Sequence, residues 1–240
     1  MNNALVNKVF IKEISPRDTM RDDKGDDEYF RIGRNAMLKC KNFLDGQSPA
    51  RIIDFPSGYG RALRWFKHEW PEAELFAVET DGHALEFTTE RFGATPIQAH
   101  PRLEMQIPGD ADLIFTGSLL THFDEWQWDR FLEMTINALK PGGVLVATIH
   151  GRVNALLLKD YPTIYGEIID GRSLYAQYVK TGFAYQPYDK NYPEFGVSLS
   201  SPEWVFRKIQ RLPFAKVIAF EEQGWGQDII AFRKNEWSMI

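Results

Sequence analysis

Cysteine is almost absent from this chain. Cys40 is the single example among 240 residues, which excludes an intrachain disulfide and any zinc cluster built on cysteines, and suits a reducing cytoplasm. Long apolar runs are missing too: none approaches the length of a membrane span, and the first residues hold no continuous apolar stretch of the secretory kind. A soluble, cytoplasmic protein with no membrane partner is expected. Nor is there an excess of positive charge. With 28 Lys and Arg against 33 Asp and Glu the net charge is -5, so the overall balance does not draw the chain to a phosphate backbone, and nucleic acid is not expected as a partner. No internal repeat or low-complexity tract interrupts the sequence. What remains, 44% hydrophobic and 25% charged, is an ordinary globular composition, long enough for one α/β domain with or without a cap.

The segment through about Asp27 is dense in mixed charge, and its most polar part, Asp22-Asp23-Lys24-Gly25-Asp26-Asp27, reads as a solvated loop. A helix is expected over 29–44. From Arg51 onward strand and helix alternate, with strands expected at 51–55, 75–79, 97–99, 113–116 and 144–149 and helices at 61–69, 83–92 and 125–139. The later strands are apolar on consecutive residues, as strands buried on both faces of a parallel sheet are. In the last of these helices Asp124 and Gln127 form a capping-box pattern, and Trp128, Phe131, Leu132, Ile136 and Leu139 share one face. Lys140-Pro141-Gly142-Gly143 then stops it. The pattern predicts an α/β, doubly wound, mostly parallel sheet.

Beyond His150 the rhythm breaks. Residues 151–196 are rich in tyrosine (Tyr161, Tyr165, Tyr175, Tyr178, Tyr185, Tyr188 and Tyr192) and read as a long irregular insertion. Such segments tend to be lids or binding loops, although core packing or a homodimer interface would use the same composition. Regularity returns with a helix over 202–211 and strands over 216–222 and 228–233. The short link Gln223-Gly224-Trp225-Gly226-Gln227 makes these two strands an antiparallel hairpin at the sheet edge. One domain is expected over 1–240, with a helical lead-in over 1–50 and a substrate cap over 151–196.

Chemistry is first suggested where the strand Arg51-Ile52-Ile53-Asp54 meets Phe55-Pro56-Ser57-Gly58-Tyr59-Gly60-Arg61. Glycines in a strand–turn–helix let the backbone approach a ligand, and open α/β sheets bind ligands at the carboxyl ends of their strands. Glu79, roughly 20 residues on at the end of the second strand, stands where a carboxylate meets ribose hydroxyls; Asp81 is its rival, and an exposed strand-end carboxylate is the bland alternative. A nicotinamide site wants G-x-G-x-x-G. Here the spacing is Asp54-x-Pro56-x-Gly58-x-Gly60, and an acid before the turn suits a cationic amino group better than a diphosphate.

Asp54 through Arg61 resembles the first motif of the class I S-adenosylmethionine-dependent methyltransferases, and Glu79 is similar to the acid of their second. Leu113 through His122 looks like their fourth strand and following loop, and Leu139-Lys140-Pro141-Gly142-Gly143-Val144-Leu145 like their approach to the fifth. The resemblance covers about residues 29–150. It implies a seven-stranded Rossmann-like methyltransferase sheet with an antiparallel terminal hairpin strand, and S-adenosyl-L-methionine as cofactor. Its cofactor contacts would fall on Asp54, Phe55, Pro56, Gly58, Gly60, Glu79, Thr80, Thr116 and Ser118. Two departures stand out. Pro56 replaces the usual first glycine and removes a backbone donor, leaving those of Gly58 and Gly60. Gln98-Ala99-His100-Pro101-Arg102 lacks the acid that often contacts adenine.

Methyl transfer from a sulfonium asks first for positioning, then for a base if the acceptor is a hydroxyl or protonated amine. No metal is required. His122 after the fourth strand and His150 after the fifth are the candidate bases, each with a structural alternative as a packed histidine bonded to a backbone carbonyl. His68 and His83 lie on helices and carry no expected role. Arg152 could meet an anionic substrate or a surface carboxylate, Tyr29 could fold over the cofactor or pack on the sheet edge, and Trp225 and Asp228 could line the pocket. The expected function is methylation of a small molecule at oxygen, on a sugar or secondary metabolite. A protein or nucleic-acid methyltransferase is the enzymatic alternative, though the fourth strand ends in Thr116-Gly117-Ser118-Leu119 and not the Asn/Asp-Pro-Pro-Tyr/Phe of many amino-methylating relatives. A catalytically silent cofactor-binding regulatory protein is the other.

Overall fold

Seven strands form the central sheet of the computed structural model, which describes residues 10–21, 25–164 and 166–235. Asp22, Asp23 and Lys24 of the polar segment, and Tyr165 of the tyrosine-rich one, lie outside the described residues. Strands β1 (Arg51–Asp54), β2 (Glu74–Glu79), β3 (Thr95–Gln98), β4 (Ala111–Thr116) and β5 (Leu139–Ile149) are parallel. Strands β10 (Ala215–Glu221) and β11 (Asp228–Lys234) complete the order β10-β11-β5-β4-β1-β2-β3. Strand β11 is antiparallel to both neighbours, so the terminal hairpin joins the edge as expected, with β10 outermost. The consecutive apolar residues mark the middle of the sheet: all of β4 is buried, and so are Ile52 and Ile53 of β1.

Helices cover both faces. On one, Trp128, Phe131 and Leu132 of α4 (Glu125–Ala138) and Val205 and Ile209 of α7 (Pro202–Gln210) share a core with Ile114 of β4 and Leu145 of β5, α7 lying along β10. On the other, α1 (Asp26–Phe43), α2 (Leu63–Glu69) and α3 (Gly82–Phe92) contribute Met37, Cys40, Leu63, Phe66 and Phe92. Each fully buried side chain of this size contributes about 1.5–3 kcal/mol. The capping box of α4 is present as read, with Asp124 accepting from the Gln127 amide at 2.7 Å and the Gln127 side chain accepting from the Asp124 amide at 3.0 Å.

Four expectations need correction. Strand β5 starts at Leu139, not at 144: Leu139 leaves the helix and pairs with Ala111, so Lys140-Pro141-Gly142-Gly143 runs within the strand. Helix α1 starts at Asp26, not near Tyr29, because Asp26, Asp27 and Glu28 sit in a first turn whose exposed amides favour acids. The short α2 begins at Leu63, since residues before it are held in the glycine turn. The segment over 151–196 is not irregular: it forms α5 (Arg152–Asp160), the small ladder β6 (Thr163–Ile164) with β7 (Glu167–Ile168), α6 (Gly171–Thr181) and the hairpin β8 (Phe183–Asp189)–β9 (Tyr192–Ser200). Its own core joins Ala155, Leu158, Leu174, Ala184, Val197 and Leu199. Tyr175 and Tyr178 serve as part of that core's margin, so the apolar period is carried by residues that do not read as apolar.

Candidate cofactor and acceptor site

The register of the sheet brings the carboxyl ends of β1, β4 and β5 together: Asp54 lies opposite Phe115, and Thr116 opposite Ala147. At the end of β1 the Phe55 amide still donates to the Phe115 carbonyl at 2.9 Å, after which the chain turns through Gly58 (φ 48°) and Gly60 (φ 78°). A side chain at Gly60 would meet the Phe92 ring as well as an unfavourable φ, so glycine is required there. Helix α1 presses on the same turn. Gly33 sits so close to the Arg61 carbonyl that an added Cβ would lie 2.0 Å from it.

The turn corrects one expectation about donors. The Gly58 amide donates to Glu79 Oε2 at 2.9 Å and the Gly60 amide to the Ser57 carbonyl at 2.9 Å, so both are already engaged. The glycines therefore supply close approach, not donors. Pro56 follows a cis peptide, and the next amide, Ser57, donates to Val78. Glu79 also accepts from the Thr80 amide at 2.6 Å and hydroxyl at 3.0 Å, which aims its carboxylate across the turn. Its rival Asp81 is used otherwise: it caps α3 through the His83 amide and accepts from the Tyr59 hydroxyl at 2.7 Å.

Asp54 is 1% exposed, and neither carboxylate oxygen has a hydrogen-bond partner among the described residues. Burial, reinforced by the Glu79 charge, pushes its pKa well above the usual carboxylate range, against the pull of Arg61 and of the Leu63 backbone amide, which lies near without meeting hydrogen-bond geometry. The buried Thr116 hydroxyl is likewise without a partner. Buried polar groups are normally satisfied. An orphaned carboxylate and hydroxyl at neighbouring strand ends fit a bound ammonium and its polar surroundings, the amino-acid end of S-adenosylmethionine. At the end of β3, where an acid was missing, Gln98 donates to the Thr80 carbonyl at 2.8 Å.

Sequence reasoning missed Arg64. Its buried guanidinium donates to the carbonyls of Gly60 (3.1 Å), Glu13 (2.8 Å) and Ile11 (3.2 Å), tying the N-terminal segment to the turn. Tyr29, also buried, packs its ring against this guanidinium and donates to Asp18 at 2.6 Å. No spacing rule announces such a residue, since its partners lie up to 53 positions away.

The two histidines occupy different surroundings. His122 ends a 3-10 turn (Leu120–His122), stacks on Phe195 at 4.8 Å, and its Nδ1 lies 2.8 Å from the Gly196 carbonyl. That carbonyl only accepts, so Nδ1 carries the proton and Nε2 is the basic nitrogen. Burial lowers the His122 pKa below its usual value, and the Gly196 carbonyl opposes the shift. At His150 a polarised chain decides the tautomer. The Ser118 amide donates to Thr148 Oγ1 at 2.7 Å, so the Thr148 hydroxyl donates to Gln227 Oε1 at 2.6 Å. The Gln227 amide then donates to His150 Nε2 at 3.3 Å. The His150 lone pair is thereby engaged and its proton placed on Nδ1, while burial drives its pKa down to about 3. This geometry counts against the base expected there.

The β8–β9 hairpin is bonded down onto this edge. Ser198 Oγ donates to Leu120 at 2.8 Å, the Ser200 amide to His150 at 2.9 Å, and the Gln127 side chain to Glu194 at 2.9 Å. Tyr188 and Phe195 of the hairpin flank His122. Arg152 makes a two-pronged pair with Glu222 at 3.0 and 2.8 Å on the surface, the bland reading of the two. Trp225 donates to the Ile32 carbonyl at 3.0 Å and packs edge-on against Phe115, while Asp228 holds the hairpin loop through the Gln223 amide at 3.0 Å.

A methyltransferase-domain family model matches residues 53–145. Trans-aconitate 2-methyltransferase of Pseudomonas paraeruginosa is 30% identical over 124 residues, 50% of this chain and 43% of that protein, so the chain spans less than half the length of this curated relative. Among solved structures, the plantazolicin methyltransferase BpumL with a monoazolic desmethylPZN analogue and SAH aligns at TM-score 0.60 and 12% identity, covering 87% of this chain and 85% of that one. Burkholderia thailandensis 1,6-didemethyltoxoflavin-N1-methyltransferase aligns at 0.59 and 13%, covering 85% and 79%. At such identities the structures speak for the fold, and the family model for the domain carried on it. Motif, topology and family match agree on a methyltransferase domain of the class I S-adenosylmethionine-dependent kind, with the family match confined to residues 53–145.

Proposed function

We propose that the chain transfers the methyl group of S-adenosylmethionine to an oxygen of a small molecule, a sugar or secondary-metabolite hydroxyl. The observation that carries the cofactor reading is the buried, unpartnered Asp54 carboxylate beside a turn that Glu79 holds from the second strand. In this reading Asp54 takes the ammonium, Glu79 and Thr80 the ribose hydroxyls, and Thr116 and Ser118 the side facing the acceptor. Phe55, Pro56, Gly58 and Gly60 shape the cradle by close approach. The bound cofactor supplies a methyl group on a positively charged sulfur. The protein's part is to align acceptor and methyl and to exclude water, for which the bonded-down hairpin is a wall. His122 is the base: its Nε2 is the basic nitrogen, and its lowered pKa keeps it unprotonated at neutral pH. His150 is then a positioning residue. We place this activity in the cytoplasm, in keeping with the lone buried Cys40; among the described residues no helix is long and apolar enough to cross a membrane.

The silent-binder reading is favoured by Pro56 and by the engagement of the Gly58 and Gly60 amides. Incubation with methyl-labelled S-adenosylmethionine and a panel of saccharides, phenols, amines and organic acids, with cofactor binding measured in parallel, separates the two. We expect label in an oxygen-linked methyl group. Binding without transfer to any acceptor would establish the silent reading, and label on nitrogen alone would move the acceptor atom, as in the N1-methyltransferase that shares the fold.

A further inference from the structure

We propose that Gln227 is a positioning residue for the methyl transfer, holding the loop after β4 in the shape that meets the acceptor. This rests on the reading above, in which Ser118 and His122 of that loop face the acceptor. Gln227 ends the link between β10 and β11 and is 8% exposed. Its side-chain oxygen accepts from the Thr148 hydroxyl at 2.6 Å and from the Ser118 hydroxyl at 3.3 Å. Its side-chain nitrogen donates to His150 Nε2 at 3.3 Å. The amide has one orientation: turned over, it would leave the Thr148 hydroxyl with no acceptor among the described residues. One side chain thus ties the loop after β4 to the end of β5.

Ser118 is where that hold is needed. Its φ of 59° lies in the left-handed region, which a residue with a side chain keeps only when its surroundings impose it. Here the Ser118 amide donates to Thr148 Oγ1 at 2.7 Å and its hydroxyl to Gln227. Its carbonyl accepts from the Thr121 hydroxyl at 2.8 Å, inside the 3-10 turn that ends at His122. A displaced Ser118 therefore carries that turn with it. Trp225 of the same link packs on Gly117, where an added Cβ would lie 3.1 Å from its ring. Closing the terminal hairpin does not use the Gln227 side chain. The Trp225 amide bonds the Gln227 carbonyl at 3.1 Å, and Asp228 accepts from the Gln223 amide at 3.0 Å. Nor do the bonds of the Gln227 side chain reach Asp54 or Glu79, so alignment of the acceptor and affinity for the cofactor are separable.

Gln227→Leu keeps most of the bulk and removes both polar functions. With the member of the acceptor panel that the wild type labels fastest, its turnover number should fall by about 30-fold, within what a small misplacement near the reacting atoms costs. Affinity for S-adenosylhomocysteine, measured by calorimetry, should stay within about 3-fold. Thr148→Val removes the hydroxyl between Gln227 and the Ser118 amide at nearly the same shape, and covers the case in which the Leu variant fails to fold. It should slow turnover by about 10-fold or more, with cofactor affinity again kept. The double variant should fall within about 3-fold of the slower single one, because groups that act as a unit do not add. Full turnover in either folded variant, or a loss of cofactor affinity that matches the loss of turnover, overturns the role of Gln227 and leaves the methyl transfer standing. So does a double variant in which the two losses multiply. A wild type that labels no member of the panel overturns the reading of the reaction and this role with it.

Discussion

Asp54→Asn is expected to stabilise the ligand-free protein at neutral pH and to weaken cofactor binding by about 30-fold or more. Both effects have one origin. The carboxylate is buried, carries no hydrogen bond among the described residues, and faces the negative charge of Glu79. Its folded pKa is raised, so the stability it contributes is complete below the unfolded value near 3.8 and is lost as pH rises toward the folded one. Asparagine has no charge to desolvate. At pH 7.5 the variant should therefore melt higher by about 3–6 °C, the shift that ~1–2 kcal/mol gives a chain of this length. Only well below the unfolded value near 3.8 is the carboxyl protonated in both states, and at about pH 2.5 the gain should vanish. Binding moves the other way, because removing one partner of a buried charge pair leaves the ligand's ammonium uncompensated. Thermal melts at the two pH values, with and without S-adenosylhomocysteine, check the account. A variant less stable at pH 7.5 with affinity unchanged would contradict it.

His122→Gln should lower the turnover number by about 100-fold while S-adenosylhomocysteine affinity stays within about 3-fold, the low end of what a positioned general base contributes. Glutamine keeps a donor toward the Gly196 carbonyl and so preserves the seat of the hairpin, whereas alanine would also empty the contact with Phe195. The wild-type pH profile has a defined sign. As the proposed base His122 would act in its neutral form, and its pKa is lowered by burial, so turnover should fall only below the usual histidine range and run level through neutrality. The Gln variant should lose that acidic limb. Full activity in the variant would mean that alignment alone carries the reaction.

What could be read from the sequence is what depends on neighbours in the chain. The run from Asp54 to Gly60, the acid at Glu79, the capping box of Asp124 and Gln127 and the five parallel strands all rest on local spacing, and each is found close to its expected place, except that β5 begins at Leu139 instead of 144. What was hidden depends on distant partners. Gln227 decides the tautomer of His150 from 77 positions away, and no pattern around His150 announces it. Arg64 reads as one more polar helix residue until the carbonyls of Ile11 and Glu13 close on it. The order in 151–196 escaped for another reason: tyrosines there share in a small core, and the hairpin continues past Gly196 to Ser200, where Val197 and Leu199 point inward. Pro56 marked a lost donor correctly, but the remaining amides were counted as available when Glu79 and Ser57 already hold them.

If Asp54 and Glu79 form a cradle for S-adenosylmethionine, calorimetric titration of S-adenosylhomocysteine into the wild type and Glu79→Ala shows it most plainly. Glu79 fixes the turn through the Gly58 and Thr80 amides and, in the proposed reading, takes the ribose hydroxyls, so its removal would take away charge-assisted contacts and the geometry of the cradle together. The account predicts one site per chain in the wild type and affinity lowered by about 100-fold in the folded variant. Equal affinity in the two proteins, or no binding to the wild type, would contradict it.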